Sequence, residues 1–218
     1  MRRQRRTTAG AAKSGRSSVG VDRKAMAAAV RAFLRAAGLE LRGELAHTPE
    51  RVALAWSEDF LDGYRRDAAA TLGPLHAAPR AGLVCVTGLD FHSTCPHHLL
   101  PYRGLAHVAY LPAEGPQARV AGFSRLAALV DALAHRLILQ ETLAEEIAVA
   151  VQRGVAGRGA GCILEAEQNC LSCRAETKSR ARAVTSAFTG AMVTDRESRR
   201  GFRAAVEAGV RGPRGGRR

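Results

Sequence analysis

The chemistry-bearing residues of this chain gather at two places, the run Cys95-Pro96-His97-His98 and the run Cys170-Leu171-Ser172-Cys173. A thiolate and an imidazole three residues apart in a tight turn can face one ion. Zinc takes such donors in a tetrahedron, and a catalytic zinc keeps three protein ligands and one open position. On that reading Cys95 and His98 supply two donors, and Cys170 or Cys173 the third. Paired Cys-x-x-Cys and His-x-x-x-His halves are absent, so the pattern is not a zinc finger. A Cys-x-x-His turn alone also fits a buried thiol beside surface histidines.

Other polar groups sit where a core helix or strand has no need of them. Gln140 and Glu141 meet at the junction of two apolar helical segments. An amide beside a carboxylate suits the edge of a guanine, whose N1–H and exocyclic amine want an acceptor; the same pair also fits a helix cap. Ser124 and Arg125 at a helix start, with Arg51, Arg174, Lys178 and Arg182, could bind a polyphosphate, because helix N-termini and guanidinium forks both favour anions. Thr185 and Ser186 lie in a β-rich segment and become ligand contacts only in context.

These groups need elements to hold them. DRKAMAAAVRAFLRAAGLEL puts Met26, Val30, Phe33 and Leu34 at helical spacing behind Asp22 as N-cap, with Gly38 as a stop. HTPERVALAWSEDFLDGY begins a second helix with Thr48 as cap and Pro49 at its first position, and Val52, Ala55, Trp56 and Phe60 as its buried stripe. GLVCVTGLDFHS and YRGLAHVAYLP read as strands. Two helices follow, from Ser124 to about Leu137 and from about Glu141 to Val155; then come two more strands, GAGCILEAEQN and RARAVTSAFTG, and a closing helix, DRESRRGFRAAVEA. The order after the N-terminal helices is β-β-α-α-β-β.

Composition limits the class. A 218-residue chain with 46% hydrophobic residues can fill one core. The net charge of +13 resides mostly in the ends: residues 1–24 carry +7 and residues 211–218 carry +4. The part between is near neutral, so a nucleic-acid partner is not expected; solvated arms are. Residues 1–22 read as a disordered basic tail, 23–208 as one domain, and 209–218 as a basic C-terminal tail. No apolar run nears the roughly 20 residues of a membrane helix. Five cysteines form an odd set without small-scaffold spacing, which points to reduced thiols or metal ligands and to the cytoplasm.

The motifs HTPERVALAW, STCPHHLLPYRGLAHVAYLP, GFSRLAALV, LQETLAEEI, EAEQNCLSCR and AVTSA, in order from Thr48 to Ala205, resemble the GTP cyclohydrolase I family. The resemblance implies an α+β tunnelling fold (T-fold), an antiparallel sheet with helices on one face. It implies Zn2+ held by Cys95, His98 and Cys170, with His97 near the ribose and reactive ring. Gln140 and Glu141 map onto the guanine-reading pair, and Ser124, Arg125 (usually Lys), Arg51 and Arg174 onto the triphosphate contacts. The activity implied is opening of the guanine imidazole ring of GTP by zinc-activated water at C8, release of formate, and rearrangement to 7,8-dihydroneopterin triphosphate, the first step toward tetrahydrofolate. Family members are homodecamers with active sites between subunits.

Four departures bear on this expectation. Gln168 stands where the family has a histidine, and glutamine cannot transfer a proton near neutral pH. Pro96 replaces a glutamate in the metal turn, Ala128 an arginine on the phosphate-binding helix, and Ala175 a glycine. Alternative expectations are a paralogue that stops at the ring-opened formamide or takes another purine nucleotide, and a non-catalytic zinc and purine binder.

Overall fold

The computed structural model describes residues 20–174 and 181–211, with side chains through 209. The expectations for the basic tails before residue 20 and after 211, and for Ala175 and Lys178, lie outside these residues. Helix α1 (Arg23–Ala36) starts where the Asp22 carboxylate accepts from the amides of Lys24 and Ala25, and it ends before Gly38, whose φ of +76° a side chain would resist. Helix α2 (Thr48–Ala55) begins at Thr48, with His47 in the cap position and Pro49 in the first turn, so Thr48 is not the cap. The apolar stripes expected on these helices are only partly covered. On α1 only Ala27 is buried and Phe33 is 70% exposed, because α1 packs on α2 and on little else in this chain.

A π-turn at Trp56–Phe60 and the short helix α3 (Ala68–Thr71), capped by Asp67, lead into the sheet. Gly63 is needed on the way: a Cβ there would sit 2.6 Å from the carbonyl oxygens of Ala132 and His135. A two-residue strand β1 (His76–Ala77) pairs with β4 (Arg119–Val120). The main sheet is antiparallel throughout, in the order β2 (Val84–Thr94), β3 (Pro101–Leu111), β5 (Gly159–Gln168), β6 (Ala183–Gly190). Between β3 and β5 run α4 (Phe123–Ala134) and α5 (Gln140–Gly154). Helix α6 (Asn169–Ser172) follows β5 directly, and α7 (Arg196–Arg211) extends past residue 208, where the sequence reading starts the C-terminal tail.

Strand alternation sets the layers. Tyr102, Ala106, Val108 and Tyr110 on β3 and Leu164 on β5 face Leu126, Leu129, Leu143, Ile147 and Val151 of α4 and α5. Each such large side chain withdrawn from water contributes about 1.5–3 kcal/mol. Residues of opposite parity, Ala109, Leu111 and Ile163, point the other way and are covered by Phe202 and Val206 of α7 with Met192. The α+β tunnelling fold is thus present, with α4 and α5 on one face as expected and α7 as an added cover on the other, where those three apolar side chains require one. Helix α4 stops at Ala134, short of Leu137, because the chain turns at His135 to meet Gly63.

One buried polar contact belongs to the sheet itself. Strand β2 carries a bulge between Val86 and Leu89, and the freed amide of Gly88, at φ +75°, donates to His107 Nδ1 at 3.2 Å. His107 is fully buried, and its Nε2 lies 3.8 Å from Glu165 without a hydrogen-bond partner. Burial lowers the His107 pKa, and Glu165 offsets this in part. The folded state therefore favours the neutral ring, while the unfolded chain takes up a proton below its ordinary pKa of about 6.5. Stability is full above that pH and falls as pH drops toward the lowered folded value. Thermal unfolding followed from pH 8 to 5 should show this acid limb, and His107→Gln, which keeps an acceptor but does not titrate, should flatten it; an unchanged slope in the variant contradicts the assignment.

Candidate active site

The metal turn is the closed end of the β2–β3 hairpin. Thr94 pairs with Pro101, the Cys95 amide donates to the Leu100 carbonyl, and the Leu99 amide returns to the Cys95 carbonyl, both at 2.9 Å. Leu99 takes φ +54° to close this turn, a conformation that costs a non-glycine residue about 1–2 kcal/mol. The turn buries Cys95 and leaves His97 and His98 exposed. Cys95 Sγ lies 3.7 Å from His98 Nδ1.

The third donor comes from a strand far along the chain. Tyr102, at the start of β3, pairs with Gln168, at the end of β5, so α6 begins beside the hairpin end. Cys170 Sγ and the donor atoms of Cys95 and His98 lie within 4.8 Å of one another. A tetrahedral zinc with bonds of about 2.3 Å to sulfur and 2.0 Å to nitrogen needs donor separations of about 3.6 Å. The donor set, two thiols and one imidazole, fits that ion. Burial and the neighbouring Cys95 push the Cys170 thiol upward in pKa, and Arg174 draws it down. Cys173 is exposed and turned away, its sulfur 3.6 Å from Asn169 Oδ1 and 3.7 Å from Ser172 Oγ, so of the two thiols it is Cys170 that joins the cluster.

Gln140, the first residue of α5, is buried. Its Nε2 donates to the carbonyls of Leu164 and Ala183, both at 3.0 Å, and its Oε1 accepts from Gln168 Nε2 at 2.7 Å. Gln168 Oε1 faces Cys170 Sγ at 3.9 Å. The sequence pairs Gln140 with Glu141 at one polar site, and the structure divides them: Gln140 is engaged inside while Glu141 is exposed at the helix start. Thr185 Oγ1 reaches the Gln140 carbonyl at 3.5 Å, whereas Ser186 is exposed. Tyr102, which the sequence reading passes over as a strand aromatic, donates to the Ile138 carbonyl at 3.0 Å and so holds the approach to Gln140. Its hydroxyl is pushed up to about 12, chiefly by burial, and stays a donor. Asp62 and His135 form a second unforeseen pair, Oδ1 to Nδ1 at 2.8 Å, with His92 stacked on His135 at 4.2 Å between centroids. No local spacing signals it, since its members come from three separate segments.

The proposed phosphate residues are not all nearby. Arg174 follows α6 directly and acts on Cys170. Ser124 and Arg125 are exposed at the start of α4, Arg125 lying along Gly73. That helix start sits by Tyr110, whose hydroxyl accepts from the Ala121 amide, whereas the metal turn sits by Tyr102. Eight residues of strand separate the two tyrosines, roughly 26 Å at about 3.3 Å each. Arg51 is exposed on α2, Ala128 lies within α4, and Arg182 lines an open cleft of about 560 Å³ with Arg103, Glu165 and Glu167. His97 stands with its ring 6.2 Å from that of His98, outside the donor cluster.

Residues 26–207 match the family model described as GTP cyclohydrolase I. The chain belongs to the GTP cyclohydrolase I family. Its relatives include proteins named GTP cyclohydrolase 1 from Chromobacterium violaceum (40% identical, covering 85% of this chain and 89% of that one) and Ralstonia nicotianae (38%, covering 82% and 84%). A third, from Leifsonia xyli, is 42% identical over 78% of this chain and 88% of its own. The apo crystal structure of an archaeosine synthase QueF-like protein superposes with a TM-score of 0.40 at 19% identity, covering 50% of this chain and 95% of that one. The matched span contains every candidate site residue, and the protein is an enzyme of the GTP cyclohydrolase I type.

The cluster geometry separates the two late cysteines by experiment. Cys170→Ala should reduce bound metal, measured by elemental analysis after dialysis against zinc, to below about a tenth of one equivalent, while Cys173→Ala should retain close to one. The reverse pattern contradicts the ligand assignment.

Proposed function

We propose that this enzyme is a zinc-dependent GTP cyclohydrolase I that converts GTP to formate and 7,8-dihydroneopterin triphosphate. The observation that carries the reading is the convergence of Cys95, His98 and Cys170, with their donor atoms within 4.8 Å, beside the start of α5. Cys95, His98 and Cys170 would hold the zinc, which when bound would supply a Lewis acid for activating water near neutral pH. The chain's own residues bind and orient the substrate. Glu141 offers a carboxylate to the guanine edge, and the exposed His97, within the metal turn itself, offers an imidazole for proton exchange at the opened ring. Arg174 adds positive charge on the same side for the phosphate chain. Holding both ends of the nucleotide spends binding energy on orientation before the chemical step.

Ser124 and Arg125, placed roughly 26 Å of strand away, complete this site only if a second copy supplies them. Two further features support the homo-oligomer. Among the described residues the edge strands β2 and β6 have no further strand paired beyond them apart from one bridge from Thr94 to Leu137, and large apolar groups such as Phe33, Phe123 and Val184 stand 64–70% exposed. We infer a closed assembly of copies, a decamer on the family pattern, and place it in the cytoplasm on the strength of five unpaired thiols. No helix among the described residues is long and apolar enough to cross a membrane.

A second reading has its own observation. Gln168 occupies the position beside Cys170 where a proton-transferring side chain is expected, which favours a reaction that halts at the ring-opened formamide or one with a different purine nucleotide. Incubation of the zinc-loaded protein with GTP, products identified by mass, should yield dihydroneopterin triphosphate and one equivalent of formate. Accumulation of the formamide supports the second reading, and no product from any purine nucleotide contradicts both. Gln168→His should raise turnover several-fold or more; an equal or lower rate contradicts a proton-transfer role for that position.

A further inference from the structure

The buried amides of Gln140 and Gln168 form a chain whose direction is set at its far end. Backbone carbonyls only accept, so the two that contact the Gln140 side chain, Leu164 on β5 and Ala183 on β6, require its NH2 group on their side. The Gln140 oxygen must then point the other way. There it meets Gln168 at 2.7 Å, which has to present its own NH2 group. That leaves the Gln168 oxygen, and only the oxygen, facing Cys170, 3.9 Å from its Sγ. An amide flip at either residue would set two acceptors or two donors against each other, with at least one buried group unpaired at a cost of about 1–3 kcal/mol.

We propose that Gln168 is a positioning residue: clamped through Gln140 to the carbonyls of β5 and β6, it turns a fixed amide oxygen toward Cys170 and joins the metal-binding and base-binding ends of the site into one unit. The Cys170 thiol donates to that oxygen at 3.9 Å, so the clamp fixes the wall against which Cys170 presents its sulfur to a divalent cation, and the hydrogen bond between the two amides steadies the first residue of α5, next to Glu141. Gln140 is then a support rather than a reader of the base, since its donors are spent on the sheet. This deepens the proposed function by dividing the Gln140–Glu141 pair into an inner brace and an outer contact, and the nucleotide half of the inference rests on that function.

The test is a double-mutant cycle with Gln140→Met and Gln168→Met, which keep the side-chain length and remove the hydrogen bonds. Zinc affinity is measured by chelator competition on the metal-free protein, and GTP binding by calorimetry on the same metal-free samples. Outer groups that orient a metal site typically change affinity 10–100-fold. Either single change should weaken zinc binding about tenfold, although Gln140 itself contacts no ligand, and the double variant should be no worse than the weaker single. Gln168→His, which retains a ring N–H for Gln140, should recover GTP binding to within about threefold of the parent. If Gln140→Met leaves zinc affinity unchanged, or if the two effects multiply, the clamp is overturned. Should the parent protein bind zinc with the expected coupling yet bind no GTP, the clamp stands and the proposed function fails. Circular dichroism on each variant separates loss of fold from loss of coupling, and a variant that unfolds is replaced in the cycle by its Gln→Glu counterpart, which also removes the NH2 donor.

Discussion

The site depends on the register between β3 and β5. Because Tyr102 pairs with Gln168, the closed end of the first hairpin and the end of β5 lie side by side, and a cysteine two residues past that pair can meet a cysteine and a histidine in the turn. A slip of one residue would move Cys170 by about 3.3 Å and turn Gln168 to the opposite face, away from α5. The metal cluster does not set this register; the core does. Tyr102, Ala106, Val108 and Tyr110 must all face α4 and α5 while Ala109 and Ile163 face α7, and a slip by one residue would reverse both sides. Gly104 tightens it further, for a Cβ there would fall 1.8 Å from the Glu165 carbonyl oxygen.

From that alignment the site acquires two unlike halves. The inner half consists of buried groups whose hydrogen bonds close within the chain: Gln140 to two sheet carbonyls, Gln168 to Gln140, Tyr102 to Ile138. Such groups keep their orientation without a ligand, since the alternative is an unpaired polar atom in the core. The outer half, Glu141, His97 and Arg174, is exposed, as are Arg125 and Arg51 elsewhere on the chain. Long exposed side chains lose rotamer freedom only when something binds them, so their order comes from nucleotide or from neighbouring copies. Preorganisation therefore concentrates at the buried amides beside the Cys95–His98–Cys170 cluster, and adaptability at the groups proposed to meet the nucleotide.

What was legible in the sequence follows the same division. The Asp22 cap, the Gly38 stop and the strand alternation are local physics, and they lead to the observed elements within a few residues. The Cys95–His98 turn is local too. Whether Cys170 or Cys173 completes it was not readable from spacing, because both follow the same strand and only the turn of α6, which sends Cys173 toward Asn169, separates them. The amide chain from Gln168 to Gln140 joins residues 28 apart and exists only through strand register. The Asp62–His135 pair spans 73 residues and is invisible for the same reason. Phe33 misled in the opposite direction: its helical spacing marks a face to be covered, but nothing in the spacing says whether the cover comes from the same chain.

The glutamine at 168 has a consequence for where protons can move. An imidazole at that place could both orient and titrate; a carboxamide can only orient, and here its direction is locked through Gln140 by two backbone carbonyls, none of which titrates. The two amides of the inner wall, Gln140 and Gln168, thus carry no charge at any pH the protein meets, and their hydrogen bond does not depend on a proton. Pro96 reinforces this, replacing a potential carboxylate in the metal turn with a residue that fixes its own backbone. With His98 committed to the cluster, the ionisable imidazole left beside the turn is His97, which is exposed to solvent. On the proposed function, a cyclohydrolase built this way braces its site from within through the amide chain and meets the base and exchanges protons at its exposed rim, so that its rate should respond to the solvent-facing groups more than to the buried wall.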